Sequence, residues 1–278
     1  SRPLYSSAAS DVYKRQPLQS LKNLNQNNFY SFLPWSESGS PQLPHGDIYF
    51  PVLHGPFGED GTIQGFLEMA DVPFVGAGVL GSSIGMDKEF AKILFRSRGL
   101  PTAKYKAVLD WEWKDKKAGL LDEIANNFDR PFFVKPANMG SSVGITKVKN
   151  NRSAEAAIAK AFHYDRKILI EEAILGREFE CSVLGNEHPE ASVPGEIIPF
   201  REFYDYRDKY IEGKTGFIIP ADIPADMISE IQRLSIEAFT ASGCSGMARV
   251  DFFLRSGTHD LFINEINTIP GFTEISMY

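Results

Sequence analysis

Arg249, Asp251, Glu265 and Asn267 are the residues whose types and spacing suggest chemistry most directly. Side chains two apart on a strand share a face, so Arg249 projects with Asp251, and Glu265 with Asn267. The runs Ala248 to Leu254 and Leu261 to Asn267 read as strands, joined by the turn Arg255-Ser256-Gly257-Thr258-His259. Antiparallel pairing then sets two carboxylates and an amide oxygen side by side, the hard-oxygen set that Mg2+ takes when phosphates supply its other ligands. The competing reading is an ion-pair network on a solvent-facing sheet. The irregular stretch Asn267-Thr268-Ile269-Pro270-Gly271, directly after the second acid-bearing strand, favours a ligand site.

Lys135 lies in the short apolar run Phe132 to Pro136 and is followed by Gly140-Ser141-Ser142-Val143-Gly144. Small residues let backbone N–H groups approach phosphate oxygens, and a strand-borne lysine adds charge. The order is not that of a P-loop, and a Gly/Ser turn between strands is more often a plain hairpin. Lys167 to Ile174 offers a strand edge against which a purine could pair, with Glu178 seven residues after Glu171 and in reach of a ribose. Taken alone, that segment reads as an ordinary amphipathic hairpin. Phe203 to Tyr210 is aromatic and charged without a period, which suits a lid or a docked surface loop. His54 to Gly61 follows the first apolar run, where ligands sit in open α/β sheets.

The elements that must hold these groups follow a β-α-β-α order. Ile48 to Leu53 reads as a buried parallel strand and a helix starts near Thr62. Pro73-Phe74-Val75 is the next strand, and Met86, Phe90, Ile93 and Leu94 line one face of a helix ending at Gly99. Thr102 to Val108 is strand-like and Glu112 to Asn127 helical. Ser153 caps a helix to about His163. Lys167 to Ala173 and Glu178 to Val183 are strands, and Ala225 to Ser242 is an amphipathic helix.

The 278 residues carry 29 Lys+Arg against 36 Asp+Glu, a net charge of −7. That surface repels a phosphate backbone, so general nucleic-acid binding is disfavoured and a polyanionic ligand must be held locally. No run reaches the roughly 18 apolar residues of a membrane span. Two cysteines, Cys181 and Cys244, read as buried thiols of a cytoplasmic protein rather than a disulfide scaffold.

Seven blocks in order carry a resemblance. They are HGPFGEDGTIQGFLE (54 to 68), MDK (86 to 88), FVKPANMGSSVG (133 to 144), EEAILGREFE (171 to 180), YDYRDKY (204 to 210), MARVDFF (247 to 253) and NEINTIPGFTEISMY (264 to 278). Together they resemble the D-alanine:D-alanine ligases of the ATP-grasp superfamily. The resemblance implies an α/β protein with α+β lobes, an ATP-grasp fold behind an incomplete N-terminal Rossmann-like parallel-sheet domain. The expected division is a foreign leader over 1–16, a remnant of the N-terminal domain over 17–100, a small ATP-grasp lobe over 101–175 and a C-terminal lobe over 176–278.

The resemblance further implies that Lys88, Lys135 and Lys209 contact ATP phosphates under a loop around Ser141 and Ser142. Glu171, Ile174 and Glu178 would hold adenine and ribose. Asp251, Glu265 and Asn267 would bind two Mg2+ ions, or Mn2+, with Glu265 bridging. Arg249 and the Gly271 amide would stabilise an oxyanion, Ser276 would meet the carboxylate of the second of two D-alanine molecules, and His54 would lie on the substrate side. Tyr210 and Ser141 match a hydrogen-bonded triad that closes the lid, and Tyr210 favours D-alanine over D-lactate. A homodimer is the expected assembly of the full-length protein, with no nucleic-acid or membrane partner. The family's N-terminal glycine-rich loop with its glutamate, and the helices after Ser-Met-Tyr, have no counterpart in this reading, which expects a chain truncated at both ends. Another ATP-grasp carboxylate-amine ligase, or a module that only binds nucleotide, are the alternatives; the 54 to 61 and 204 to 210 blocks discriminate against the first, and the joint presence of Asp251, Glu265 and Asn267 against the second.

Overall fold

The computed structural model describes residues 46–199, 216–272 and 276–278. The chain divides into two units, Ser1–Asp47 with Thr273–Ile275, and Ile48–Phe272 with Ser276–Tyr278. The elements that follow belong to the second.

Three helices come first: α1 (Thr62–Met69), α2 (Val79–Met86) and α3 (Lys88–Ser97). One lobe is then built from β1 (Tyr105–Leu109), α4 (Asp110–Asn127), β2 (Phe132–Pro136), β3 (Thr146–Val148), α5 (Asn151–Ala161) and β4 (Lys167–Glu172). Its antiparallel sheet runs β1-β4-β2-β3. Val108, Phe132, Val134, Ile168 and Ile170 point to the side covered by Ile124 of α4 and Ile158 of α5, and together they form one core. Because side chains alternate, Phe133 and Lys135 of β2 and Leu169 and Glu171 of β4 point to the opposite side.

The other sheet contains β5 (Gly176–Gly185), β6 (Glu190–Ala191), β7 (Gly195–Ile198), β8 (Gly216–Ile218), β9 (Gly246–Arg255) and β10 (Leu261–Asn267). Its order is β10-β9-β5-β7-β8, with β6 paired to β5. The helix α6 (Ala225–Ala241) packs Ile231, Leu234, Ala238 and Phe239 onto Phe179, Val250 and Phe252, and Ala91 and Phe95 of α3 join that core. Cys181 and Cys244 are buried free thiols. No helix among the described residues is long and apolar enough to cross a membrane.

Several expectations change. Ile48 to Leu53 is not a strand: Tyr49 makes one parallel bridge, to Phe74, and Ile48, Phe50, Val52 and Leu53 are exposed. Pro51 interrupts the run, and the next two amides turn back to Phe50 and Pro51 carbonyls instead of a neighbour. Met86 and Leu94 do not lie on one continuous helix. Asp87 separates α2 from α3 and caps the latter, its carboxylate accepting from the Glu89 and Phe90 amides. The buried face of α3 is Lys88, Ala91, Lys92 and Phe95, while Phe90 and Ile93 are exposed. Asn150, not Ser153, caps α5. The strands β4 and β5 are not a hairpin either, since each joins a different sheet and Ala173 to Leu175 crosses between them.

Candidate active site

Alternation and register build the acid-bearing surface. On β9, Ala248, Val250 and Phe252 enter the core, so Arg249 and Asp251 face away from it. On β10, Leu261 and Ile263 are core residues, and continued alternation would send Glu265 inward. A bulge between Ile263 and Glu265 resets the phase: Glu265 pairs with Asp251, Ile266 turns into the core, and Asn267 pairs with Arg249. The bulged residue is Asn264, whose carbonyl and side chain are thereby available to other groups.

Arg249 donates to both oxygens of Asp251, from Nε at 2.7 Å and Nη2 at 2.8 Å. Its Nη2 also stands 3.2 Å from Glu180 of β5. Burial works against its charge, but Asp251 and Glu180 outweigh that and raise the guanidinium further above its ordinary pKa. Asn267 Nδ2 donates to Asp251 at 3.0 Å, and Lys88 Nζ lies 3.6 Å from Glu265. Each acid thus faces a cation or a donor. Among the described residues no three His, Cys, Asp or Glu gather as a metal cage. The donor set Asp251, Glu265 and Asn267 suits Mg2+ or Mn2+ only when phosphate oxygens and water complete the shell.

A cleft of about 270 Å³ lies beside this surface. Lys88, Lys135, Ser141 and Ser142 line it, as do Glu171, Ile174, Glu178 and Glu265, so the structure brings eight of the expected site residues to one cavity. The loop over it is strained: Ser141 and Ser142 have φ of 52° and 58° in the left-handed region, with Gly144 at 77°. Lys88 Nζ donates to the Met139 carbonyl at 2.7 Å, fastening α3 to that loop. Lys167 holds the start of α3 from the other side, 2.8 Å from both Asp87 and Glu89.

Two placements differ from expectation. β4 is not an edge strand, because β1 and β2 flank it and pair with it through Glu171 and Glu172. Ile174 and Leu175 of the crossing segment line the cleft, and β4 has no free edge to offer. Glu171 is buried, its Oε1 2.5 Å from Lys135 Nζ. Lys92 Nζ stands 2.9 Å from Oε2, within ion-pair reach though off the line of a well-formed hydrogen bond. Burial alone would raise the pKa of this carboxyl, yet Lys135 and Lys92 hold it down to about 2.

A smaller recess shares Lys88, Met139 and Glu265 with the cleft and adds Glu59 and Asn267. His54 Nδ1 lies 3.0 Å from the Ile269 carbonyl, and burial lowers its pKa, leaving the ring neutral near pH 7. Glu59 accepts from the Gly55 amide and is pushed up to about 7, first by burial, against the pull of that amide and of Arg249. The Ser276 hydroxyl donates to the Gly271 carbonyl. Lys209 and Tyr210, with the rest of 203 to 210, lie outside the described residues.

Sequence reasoning missed Glu59, Lys92 and Glu180. Glu59 sat in a quoted block without a role. Lys92 lies four residues after Lys88 on one helical face, a signal that the apolar reading of α3 hid. Glu180 had none, since only the β5–β9 register places it opposite Asp251.

Comparison with known proteins identifies the family and the fold. A family model described as D-ala D-ala ligase C-terminus matches residues 94–278, and one described as D-ala D-ala ligase N-terminus matches residues 6–77. The second match begins inside the stretch read above as a leader. The D-alanine--D-alanine ligase of Solibacter usitatus is 55% identical over 232 residues, covering 84% of this chain and 70% of that protein. The solved D-alanine-D-alanine ligase from Coxiella burnetii has a TM-score of 0.72 at 37% identity, over 86% of this chain and 64% of its own. The VanG D-Ala:D-Ser ligase from Enterococcus faecalis has a TM-score of 0.76 at 38% identity, over 86% and 68%. The chain spans 62% of the length of one such relative and 74% of another.

Proposed function

The chain belongs to the D-alanine:D-alanine ligase family, and from that premise we propose that its protein uses ATP to join two D-alanine molecules for peptidoglycan precursors. The observation that carries this reading is the cleft, where Lys88 stands beside Glu265 and Lys135 beside Glu171, with the strained Ser141–Ser142 turn in the same lining. Two cations, a glycine- and serine-rich backbone and an oxygen set for a divalent ion are what a nucleotide triphosphate requires.

A carboxylate is a poor electrophile, so the first D-alanine is activated. Its carboxylate oxygen attacks the γ-phosphorus, ADP leaves, and an acyl phosphate forms. The amine of the second D-alanine then attacks the acyl carbon and phosphate departs, giving the dipeptide. Lys88, Lys135 and, by family resemblance, Lys209 hold the phosphates; Glu178 and the backbone near Ile174 hold ribose and adenine. Divalent ions at Asp251, Glu265 and Asn267 would offset phosphate charge. By family resemblance, Arg249 and the Gly271 amide would stabilise the tetrahedral oxyanion. His54, neutral and tied to Ile269, serves as a hydrogen-bonding group on the substrate side. Ser276 exchanges the Gly271 carbonyl for the second substrate's carboxylate, and Tyr210 with Ser141 closes the lid. We place the protein in the cytoplasm without nucleic-acid or membrane partners, a reading supported by its net charge of −7 and its buried free thiols; a homodimer of the full-length protein rests on the family resemblance alone, and sedimentation equilibrium tests it.

The test is Glu265→Ala in the complete protein. ADP release driven by D-alanine falls by at least about 10²-fold while far-UV circular dichroism is unchanged; a folded variant with near wild-type turnover overturns the metal assignment. D-serine assayed in parallel as second substrate tests the acceptor, since the Enterococcus faecalis neighbour is named for that amino acid.

A further inference from the structure

The described residues hold one carboxylate shared by two buried lysines, and only one of those lysines faces the cleft. Glu171 is 2% exposed, with Lys135 at one oxygen and Lys92 at the other. Lys135 lines the cleft. Lys92 lies behind it at 1% exposure, reaching from α3 toward the Asn264 carbonyl at 3.4 Å, while Lys135 reaches the Asn264 side-chain oxygen at 3.3 Å. Within this trio two cations face one anion, in a wall of the cleft that Glu172, Glu178 and Glu265 also line.

A phosphate entering the cleft competes with Glu171 for Lys135. If Lys135 were the sole counter-ion of Glu171, turning to the phosphate would strand a carboxylate in a site that water scarcely reaches. Stranding one partner of a buried pair is strongly unfavourable, and that penalty would subtract from nucleotide affinity. Lys92 removes it, because the carboxylate keeps a partner whichever way Lys135 points.

We propose that Lys92 is a positioning residue, a hidden second counter-ion to Glu171 that leaves Lys135 free to engage nucleotide phosphate. The proposal rests on the nucleotide reading of the cleft. It also gives Glu171 a task other than adenine contact, since both its oxygens are turned toward lysines. The bulge at Asn264 belongs to the same device: it hands one oxygen to each lysine and sets Glu265 beside them.

Binding of Mg·ADP to the whole chain, measured by titration calorimetry, separates the outcomes. Lys92→Met is expected to fold, because Lys135 remains on Glu171 when the cleft is empty, yet to bind Mg·ADP about tenfold more weakly. Adding Glu171→Gln to that variant removes the carboxylate that needed a partner, and affinity recovers most of the way. Lys92→Arg keeps the charge and binds within about threefold of wild type. A lysine that merely bolts α3 to β4 predicts otherwise: lower melting temperature, unchanged affinity, and no recovery in the double variant. Lys92→Met binding like wild type while Lys135→Met loses binding, or a double variant no tighter than the single one, overturns the proposal. If Lys92→Met does not fold, the comparison of Lys92→Arg with the double variant decides, and loss of binding in both overturns it. No effect of Lys135→Met, or no binding by the unsubstituted chain, overturns the nucleotide reading instead.

Discussion

Replacing Arg249 with methionine isolates the electrostatics of the acid-bearing surface. Methionine keeps much of the volume and removes the guanidinium, whose two short hydrogen bonds hold Asp251 and whose third contact reaches Glu180. Asp251 and Glu180 sit directly opposite each other on β9 and β5, with side chains 4% and 8% exposed. Without the cation, two nearly dry carboxylates face one another across a strand pair, an arrangement that is unfavourable even at a surface. Removing one partner of a buried ion pair costs about 3–5 kcal/mol. At about 2–4 °C per kcal/mol for a chain of this size, the melting temperature falls by roughly 6–20 °C at pH 7. Calorimetry and urea titration read this, with the midpoint shifted and the slope unchanged. Coupling Arg249→Met to Asp251→Asn removes one stranded charge and regains part of the loss. Mg2+ raises the melting temperature of the single variant more than that of wild type, because the freed acids lack a competing cation. A variant melting within about 2 °C of wild type would refute the account, since the contacts cannot then carry the energy assigned to them.

Two further outcomes follow from the same geometry. Glu171, held at about 2 against an ordinary 4.5, contributes stability that is present above pH 4.5 and lost as pH falls through the folded value. The unfolded chain binds the proton first, so the contribution, on the order of 3 kcal/mol, fades between about pH 5 and pH 2. Burial lowers the pKa of Lys92, against the pull of Glu171. Urea unfolding of wild type and of Lys92→Met with Glu171→Gln at pH 5 and pH 2.5 checks it, and an equal acid response in both would contradict the pairing. Gly144→Ala places a methyl at φ of 77°, 2.7 Å from Pro136 and Tyr164 carbons, costing roughly 1–3 kcal/mol and displacing the loop over the cleft. A raised KM for ATP with little change in kcat is the expected kinetic result, and an unchanged KM would detach that loop from the nucleotide.

The sequence by itself determined which residues share a strand face and which blocks recur in the family. Period-two alternation needs no partner strand, so Arg249 with Asp251 and Glu265 with Asn267 could be paired directly, and Lys135 ahead of a Gly/Ser loop could be read as a phosphate cradle. Only the tertiary structure decided which way those faces point. The bulge at Asn264 reverses the phase of β10 at a cost that only pairing with β9 offsets, and no local preference of Ile263-Asn264-Glu265 announces it. That β1 and β2 flank the strand of Glu171 and that two lysines meet its carboxylate was likewise decided only by the fold. Lys92 drew no reading from the sequence, and only the packing of α3 carries it inward to Glu171. In each case the deciding energy is a long-range contact between residues far apart in the chain, and no local pattern reports that.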